Sequence, residues 1–515
     1  MALRTGTGLT QVPSIYIINP ATNGPGYYTG EAFSHADRRY VWVADLSVAT
    51  VAGFVPREWD IRIADESIAP ADLDAAVDFV AITGKVTQRT RMIELAREFR
   101  RRGRTVLIGG SFATLTPDDM RPHADILVTG EIEEIAPRLF ADLASGQWED
   151  SYDGGMADIT RTPLPRWDLY PSGQALQGAL QTTRGCPFSC EFCDVIEYQG
   201  RKQRHKTVDQ VIAELDLLYS TGFRQVFLVD DNFTVHRRWA HTVVDALAAW
   251  NARHADDPVT FATQASIDLA RDEELMAKCV AAGLSSVFVG VETINENSLR
   301  ETGKRQNLLA PMLEAVRTIV SHGIALDAGI IVGFDHDDAT IFGRLSEFFQ
   351  ESPLPVLTIG LLTAPRATGL FRRLLAEGRL SGEVWDTGAS VLTTNIVPAR
   401  MSKEALLSGA LRLCRTTYDP EQFEQRVFNF IDVFDGAPAM RRKAARLGET
   451  GQAFGHLLGG ISARGPAEAA MIRNVLHAAA AKPATLPHVI SFLCRYAQAR
   501  LVLDRAESDR TVEFA

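Results

Sequence analysis

Between residues 14 and 365 the chain alternates short apolar runs with amphipathic stretches of helical period. That alternation fixes the fold class. Near-continuous Val/Ile/Leu strands joined by helices require a parallel sheet covered on both faces, an α/β architecture. In the first part strands are predicted at 14–20, 60–66, 78–86, 104–112 and 124–135. The clearest helix, 87–103, ends in Arg residues and a Gly, as a helix C-terminus prefers. A Pro-rich stretch, "TRTPLPRWDLYPSG" (160–173), then interrupts. Six further βα units follow, with strands at 179–186, 224–233, 258–266, 285–293, 325–335 and 355–365. Six units are fewer than a closed eight-stranded barrel needs, so an open, partial barrel is expected. From about 395 strand signals give way to helix patterns. The domains are therefore predicted as 1–158, a linker at 159–178, a barrel at 179–394 and a helical C-terminal part at 395–515.

At 515 residues and 46% hydrophobic content there is enough chain for two or three cores. Lys plus Arg number 53 against 64 Asp plus Glu, a net charge of −11 that argues against a nucleic-acid scaffold and for a small-molecule substrate. No apolar run of about 18 residues and no signal-like start are present, so no membrane span and a cytoplasmic location are expected.

Three of six cysteines crowd into "RGCPFSCEFCD" (184–194), as Cys186, Cys190 and Cys193. Chance alone gives such spacing roughly once in a thousand. They follow the first barrel strand, on a loop that overhangs the barrel mouth. Three readings fit the residues. Zinc takes four N or S ligands, with His205 as the fourth; a redox dithiol uses two thiols; a [4Fe–4S] cluster held at three corners leaves one iron open. The other thiols, Cys279, Cys414 and Cys494, stand alone in helix-like contexts and read as buried structural residues.

Polar residues end several barrel strands: Asp230, Asp231 and Asn232; Gln264 and Ser266; and Glu292. A carboxylate in an apolar strand costs several kcal/mol unless paired, so Glu292 is expected to serve a site. Asn232 also suits a helix N-cap. In the first part, "TGK" (83–85), "GGS" (109–111) and "TGE" (129–131) fall at the strands' C-terminal edge, where such sheets bind ligands. Thr83, Gly84, Gly109, Gly110, Ser111, Gly130 and Glu131 are the binding candidates there. Ordinary tight β-to-α turns are the alternative.

Cys-x3-Cys-x2-Cys after the first strand of a partial βα barrel resembles the radical SAM superfamily. The resemblance implies that the open iron binds S-adenosylmethionine and that Phe192 lies near the adenine. It also implies that Asp230, Asp231 and Asn232 meet the methionine amino group, departing from the more common Gly-Gly-Glu. Gln264, Ser266 and Glu292 are implied to reach the sulfonium, ribose or carboxylate, and Ile331, in "GIIVGF" (329–334), to run along the adenine. Asp231 and Glu292 are the implied catalytic residues.

The parallel domain ahead of such a barrel is similar to a Rossmann-like, flavodoxin-like cobalamin-binding domain. "EFCDVIEYQGRKQRHKT", "VDDNF" and "YDPEQFEQR" (418–426) resemble the subgroup of hopanoid and other lipid or natural-product modifying enzymes. Methylation of an unactivated carbon is implied, with a one-electron donor such as flavodoxin or ferredoxin. Radical cyclisation, coupling or oxidation without methyl transfer is the alternative, and a non-catalytic iron–sulfur protein the third class. No Asp-x-His-x2-Gly stretch occurs in 1–150, so no histidine is expected below the cobalt. The Gly-rich, aromatic stretch 19–33 is expected either to line the cleft between the two domains or to be a surface loop.

Overall fold

The computed structural model describes residues 4–5, 12–24, 26–34, 39–381, 392–436 and 447–513. In chain order the first strands are β1 (Ser14–Asn19), β2 (Val41–Val43), β3 (Asp60–Asp65), β4 (Phe79–Thr83), β5 (Thr105–Gly109), β6 (Ile126–Thr129) and β7 (Ser151–Asp153). All except β2 form one six-stranded parallel sheet, ordered β3-β1-β4-β5-β6-β7. This is the flavodoxin-type doubly wound order, extended by β7, and its topological switch lies between β1 and β4. The predicted strand at 124–135 stops at Thr129 because Gly130 turns the chain at φ 68°.

The second sheet contains β8 (Ala175–Leu180), β9 (Gln225–Leu228), β10 (Thr260–Ala265), β11 (Leu284–Glu292), β12 (Ala325–Val332) and β13 (Leu357–Leu361). They lie side by side in chain order and all parallel, with β2 added beyond β8. The barrel is partial, as expected. Two details differ from the sequence reading. The first barrel strand starts at Ala175, within the span read as linker, and ends before the cysteine loop. Moreover β2 leaves the first domain to pair with β8, Val41 opposite Ala175 and Val43 opposite Gln177. Three residues are too short a run to announce such a crossover.

The C-terminal part is helical, with helices Lys403–Thr417, Pro420–Val433, Leu447–Ser462, Pro466–Ala481 and Leu486–Glu513. The "YDPEQFEQR" stretch docks them on the barrel edge. Asp419 caps the helix whose first residue is Pro420. The Tyr418 hydroxyl donates to the Leu357 carbonyl, and buried Arg426 donates to the Leu354, Gln422 and Thr417 carbonyls. None of the described helices is long and apolar enough to cross a membrane.

Candidate active site

Buried Asp230 begins the cysteine loop. Its carboxylate accepts from the Thr182 and Thr183 backbone N–H groups at 2.6 and 3.0 Å and from the Thr182 hydroxyl. Both oxygens are thereby used, so Asp230 anchors the loop instead of meeting a cofactor as the resemblance implied. Thr183–Arg184 then pairs antiparallel with Arg204–His205, pinching the loop base. Gly185 turns at φ 93°, where a Cβ would lie 2.7 Å from the Lys202 carbonyl. Its N–H donates to Asp231 Oδ2 at 2.9 Å.

A second wall presses on this loop from residues 302–306. Glu191 N–H donates to the Thr302 carbonyl at 2.9 Å, and Gly303 leaves no room for a Cβ against the Ser189 carbonyl. Gln306 Nε2 donates to Cys190 Sγ at 3.9 Å. Burial pushes the Cys193 thiol up to about 12 and raises Cys186, against the backbone N–H groups of Val195 and Phe188 that face their sulfurs.

Three thiols, backbone and amide N–H donors aimed at sulfur, and a nearby buried cation suit a [4Fe–4S] cluster, whose thiolates are formed on ligation. His205 is no fourth zinc ligand: its ring stacks on Trp239 at 4.9 Å. Among the described residues no three His, Cys, Asp or Glu side chains gather to hold one ion. A cubane instead asks for thiolates set apart. Cys279, Cys414 and Cys494 are buried away from the loop, in helices.

The cation is Lys304. Its Nζ lies 2.7 Å from Glu292 Oε1, and both side chains are nearly enclosed, at 15% and 10% exposure. Burial works to lower the lysine's pKa, but Glu292 and then Cys190 outweigh it and hold the pKa up. Glu292 carries the sole positive φ among described non-glycine residues, 63°, at a register shift where β11 meets β12. Such a conformation costs about 1–3 kcal/mol and persists where the surroundings demand it. Here it turns the carboxylate onto Lys304, in space that Gly290 leaves open: a Cβ there would meet Glu292 Oε1 at 2.2 Å.

Asp231 is pushed up to about 7 by burial, with Asp230 adding to the Gly185-opposed rise. Asn232 donates to the Ser266 hydroxyl, joining the ends of β9 and β10. Gln264 is half-buried one residue earlier than Ala265, and its carbonyl accepts from Phe233 N–H. Phe192 and Ile331 share one apolar cluster, where Phe192 meets the Phe334 ring at 6.0 Å. Asp231→Asn keeps an acceptor for Gly185, so iron content should hold while affinity for S-adenosylmethionine falls at least tenfold, read by calorimetry. Equal affinity would return Asp231 to a purely structural role.

At the first sheet's C-terminal edge the outcome is mixed. Thr83, Gly84, Gly109 and Ser111 are half-buried along the β4 and β5 turns. Gly110, at φ 92°, exists for contact within the protein: a Cβ would lie 2.7 Å from Gly84 N and O. The turns after β4 and β5 press on each other, so the glycine does not serve approach to a ligand. Gly130 likewise abuts the Gly155 backbone.

Glu131, expected to bind a cofactor, is instead a clamp between domains. It accepts from Arg204 through both oxygens at 2.6 Å and from Arg184 at 3.0 Å, two residues before Cys186. Arg184 also meets buried Glu133 at 2.8 Å. Helix Ser111–Leu115 packs on Val195–Tyr198 just past the cysteines. Glu131→Ala would take from Arg204 its carboxylate partner and from Arg184 one of its two, and a loss of about 3 kcal/mol is expected. The urea midpoint checks it; an unchanged midpoint would contradict the clamp.

Within 19–33, Tyr27 and Tyr28 reach the last barrel strand, where their hydroxyls meet the Ile359 carbonyl and Thr358 Oγ1. The stretch is thus no free surface loop.

Residues 180–342 match the radical SAM superfamily, and residues 368–502 match a domain of unknown function (DUF4070). An uncharacterized methyltransferase of Synechocystis sp. is 35% identical over 421 residues, covering 80% of this chain and 78% of its own. The hopanoid C-2 methylase of Rhodopseudomonas palustris is 35% identical over 338 residues, 64% of each chain. The structure of the cobalamin-dependent S-adenosylmethionine radical enzyme OxsB with aqua-cobalamin bound shares the fold, at TM-score 0.59 and 14% identity over 97% of this chain and 81% of that one. Cysteine loop, half-barrel and relatives agree: the chain belongs to the radical SAM superfamily, among the methyltransferases that include the hopanoid C-2 methylase.

Proposed function

We propose that this enzyme methylates an unactivated carbon of a lipid or natural-product substrate, using cobalamin as methyl carrier. The observation that carries the reading is the Glu131 clamp, which seats the doubly wound sheet's ligand-binding edge against the cysteine loop. A cofactor on that edge and one on the loop would face a common space.

A [4Fe–4S] cluster on Cys186, Cys190 and Cys193 supplies, when bound, the electron that splits S-adenosylmethionine into methionine and a 5′-deoxyadenosyl radical. Cobalamin would be held at the turns carrying Thr83, Gly84, Gly109 and Ser111, and supplies a methyl group when bound. The chain's own residues bind and orient. Asp231 is suited to the cofactor's ammonium and Lys304 to its carboxylate, while Phe192 and Ile331 form an apolar wall that excludes water from the adenine side. Asn232, Gln264 and Ser266 cluster at the neighbouring strand ends for the ribose.

His123 is the one histidine among the described residues of the first domain, and it precedes β6 at the edge opposite the switch. Among the described residues of the first domain no imidazole lies at the switch edge, which is in keeping with a cobalamin held there without histidine. With this proposal go a first domain ending near 158, a barrel whose first strand starts at Ala175 and not at 179, a cytoplasmic location and a flavodoxin- or ferredoxin-type electron donor.

Protein produced with cobalamin supplied should retain corrin absorbance, and its cobalt(II) resonance should lack nitrogen splitting. Purification without corrin, from cells rich in it, would overturn the assignment.

A further inference from the structure

Two pieces distant in sequence, the segment 26–34 and helix Leu486–Glu513, meet each other beside the barrel sheet. Gln498 of that helix accepts from Ala32 N–H at 3.0 Å and donates to the Gly26 carbonyl at 2.8 Å. This grip sets Tyr28 and Arg495 against the barrel wall. The Tyr28 ring meets Phe288 edge-on at 5.7 Å, and its hydroxyl lies 2.9 Å from Thr358 Oγ1. The Arg495 guanidinium sits between the Tyr28 and Trp42 rings, 4.6 and 4.1 Å from their centroids, and reaches Asp327 at 3.5 Å.

This wall belongs to the reaction face. Phe288 pairs in register with Asp327, and Gly329 pairs with Thr358, so their side chains share one face. Gly290, two residues beyond Phe288, leaves the space that Glu292 and Lys304 occupy.

Two observations separate the cluster from packed core. Tyr28, whose ring lies 4.6 Å from the guanidinium, keeps 40% of its surface accessible, so this side of the cluster is not sealed by packing. Second, Nε and Nη1 of Arg495 are buried and meet no acceptor among the described residues. Buried donors left unpaired are costly, and a ligand oxygen recovers that cost.

We propose that Arg495, steadied by Tyr28 and Trp42, binds an oxyanionic end of the substrate, a carboxylate or phosphate, and that the substrate is otherwise apolar and elongated. The identity of the ligand as substrate rests on the methylation reading above. Phe288 and Asp327 stand four residues below Glu292 and Ile331 on strands that rise about 3.3 Å per residue. The anchor therefore lies about 13 Å along the strands from the level of Glu292 and Ile331, where the cofactor is proposed to bind. Phe288, Gly329 and Ile331 line the intervening wall with apolar surface. Asp327 faces the guanidinium from one side only, at 3.5 Å, so its carboxylate opposes an incoming anion without filling the Nε and Nη1 donors.

Full-length, cluster-loaded protein should be titrated calorimetrically with sodium decanoate, decyl phosphate and 1-decanol, all below micelle formation. At least one oxyanion should bind saturably and tenfold or more tighter than the alcohol, and the tighter one identifies carboxylate or phosphate. Arg495→Met should weaken oxyanion binding at least tenfold and leave decanol unchanged. Asp327→Asn should tighten it severalfold, an opposite shift that misfolding cannot produce. No saturable oxyanion binding, equal affinity for decanol, or wild-type binding in Arg495→Met would each overturn the proposal. The titration needs no turnover, so its failure would leave methylation standing, and absent deoxyadenosine would leave the binding result standing.

Discussion

A chain with Cys186, Cys190 and Cys193 all changed to alanine should fold yet bind no iron, show no brown chromophore and release no deoxyadenosine. The fold should survive because the loop is held by other groups. Asp230 grips Thr182 and Thr183, the Arg204–His205 ladder closes the base, and Thr302 accepts from Glu191. None of these uses a thiol. Activity should vanish because three thiolates are the minimum that fixes a cubane while leaving one iron free. The matching control changes Cys279, Cys414 and Cys494, which are buried in helices away from the loop. That variant should keep its iron, with conservative replacements by Ala or Val. Roughly four irons per chain in the first variant, measured after anaerobic reconstitution, would refute the assignment.

Lys304→Met should have the second-largest effect, and on two separate readouts. Removing the ammonium leaves Glu292 enclosed without its partner at 2.7 Å. Breaking a buried pair from one side typically costs about 3–5 kcal/mol. The same change removes the cation beside Cys190 that is proposed to meet the carboxylate of S-adenosylmethionine, so affinity for it should fall at least tenfold. Glu292→Gln separates the two effects. Glutamine retains an oxygen for Lys304, so the denaturation midpoint should stay near wild type while cofactor cleavage falls tenfold or more. A full loss of stability with unchanged cofactor affinity in both variants would make the pair a feature of the fold alone.

What the sequence revealed and what it hid divide along contact range. The cysteine loop was legible because its three ligands sit within eight positions. The strand-end carboxylates were legible because a charge in an apolar strand has few explanations. Their separate tasks were not. Asp230 and Asp231 are neighbours of one type, yet one is spent on backbone N–H groups and the other faces the loop. Lys304 and Gln306 escaped notice because a helical stretch ending in "TGKRQ" carries no mark of the cysteines it will touch more than a hundred residues away.

Glu131 shows the same limit from the other side. A "TGE" turn at a parallel sheet's C-terminal edge reads as a ligand turn, but its partners lie 53 and 73 residues on. Only the fold brings the arginines to it. Arg495 and Tyr28 meet across most of the chain, which no local pattern encodes. A signal existed for the helical docking: a buried-looking "YDPEQFEQR", with Asp-Pro at a helix start, marks a capped helix placed against something. What it docks on, the β13 edge, needed the structure.

The most direct test of radical methylation is turnover with S-adenosylmethionine carrying a deuterated methyl group. Reconstituted, cobalamin-loaded protein would be given a reductant and a lipid extract of its source organism, and products followed by mass spectrometry. The account predicts a substrate that gains one methyl with all three deuterons retained, together with deoxyadenosine and S-adenosylhomocysteine. Deoxyadenosine accompanied by a product that has lost hydrogen but gained no deuterated methyl would contradict it.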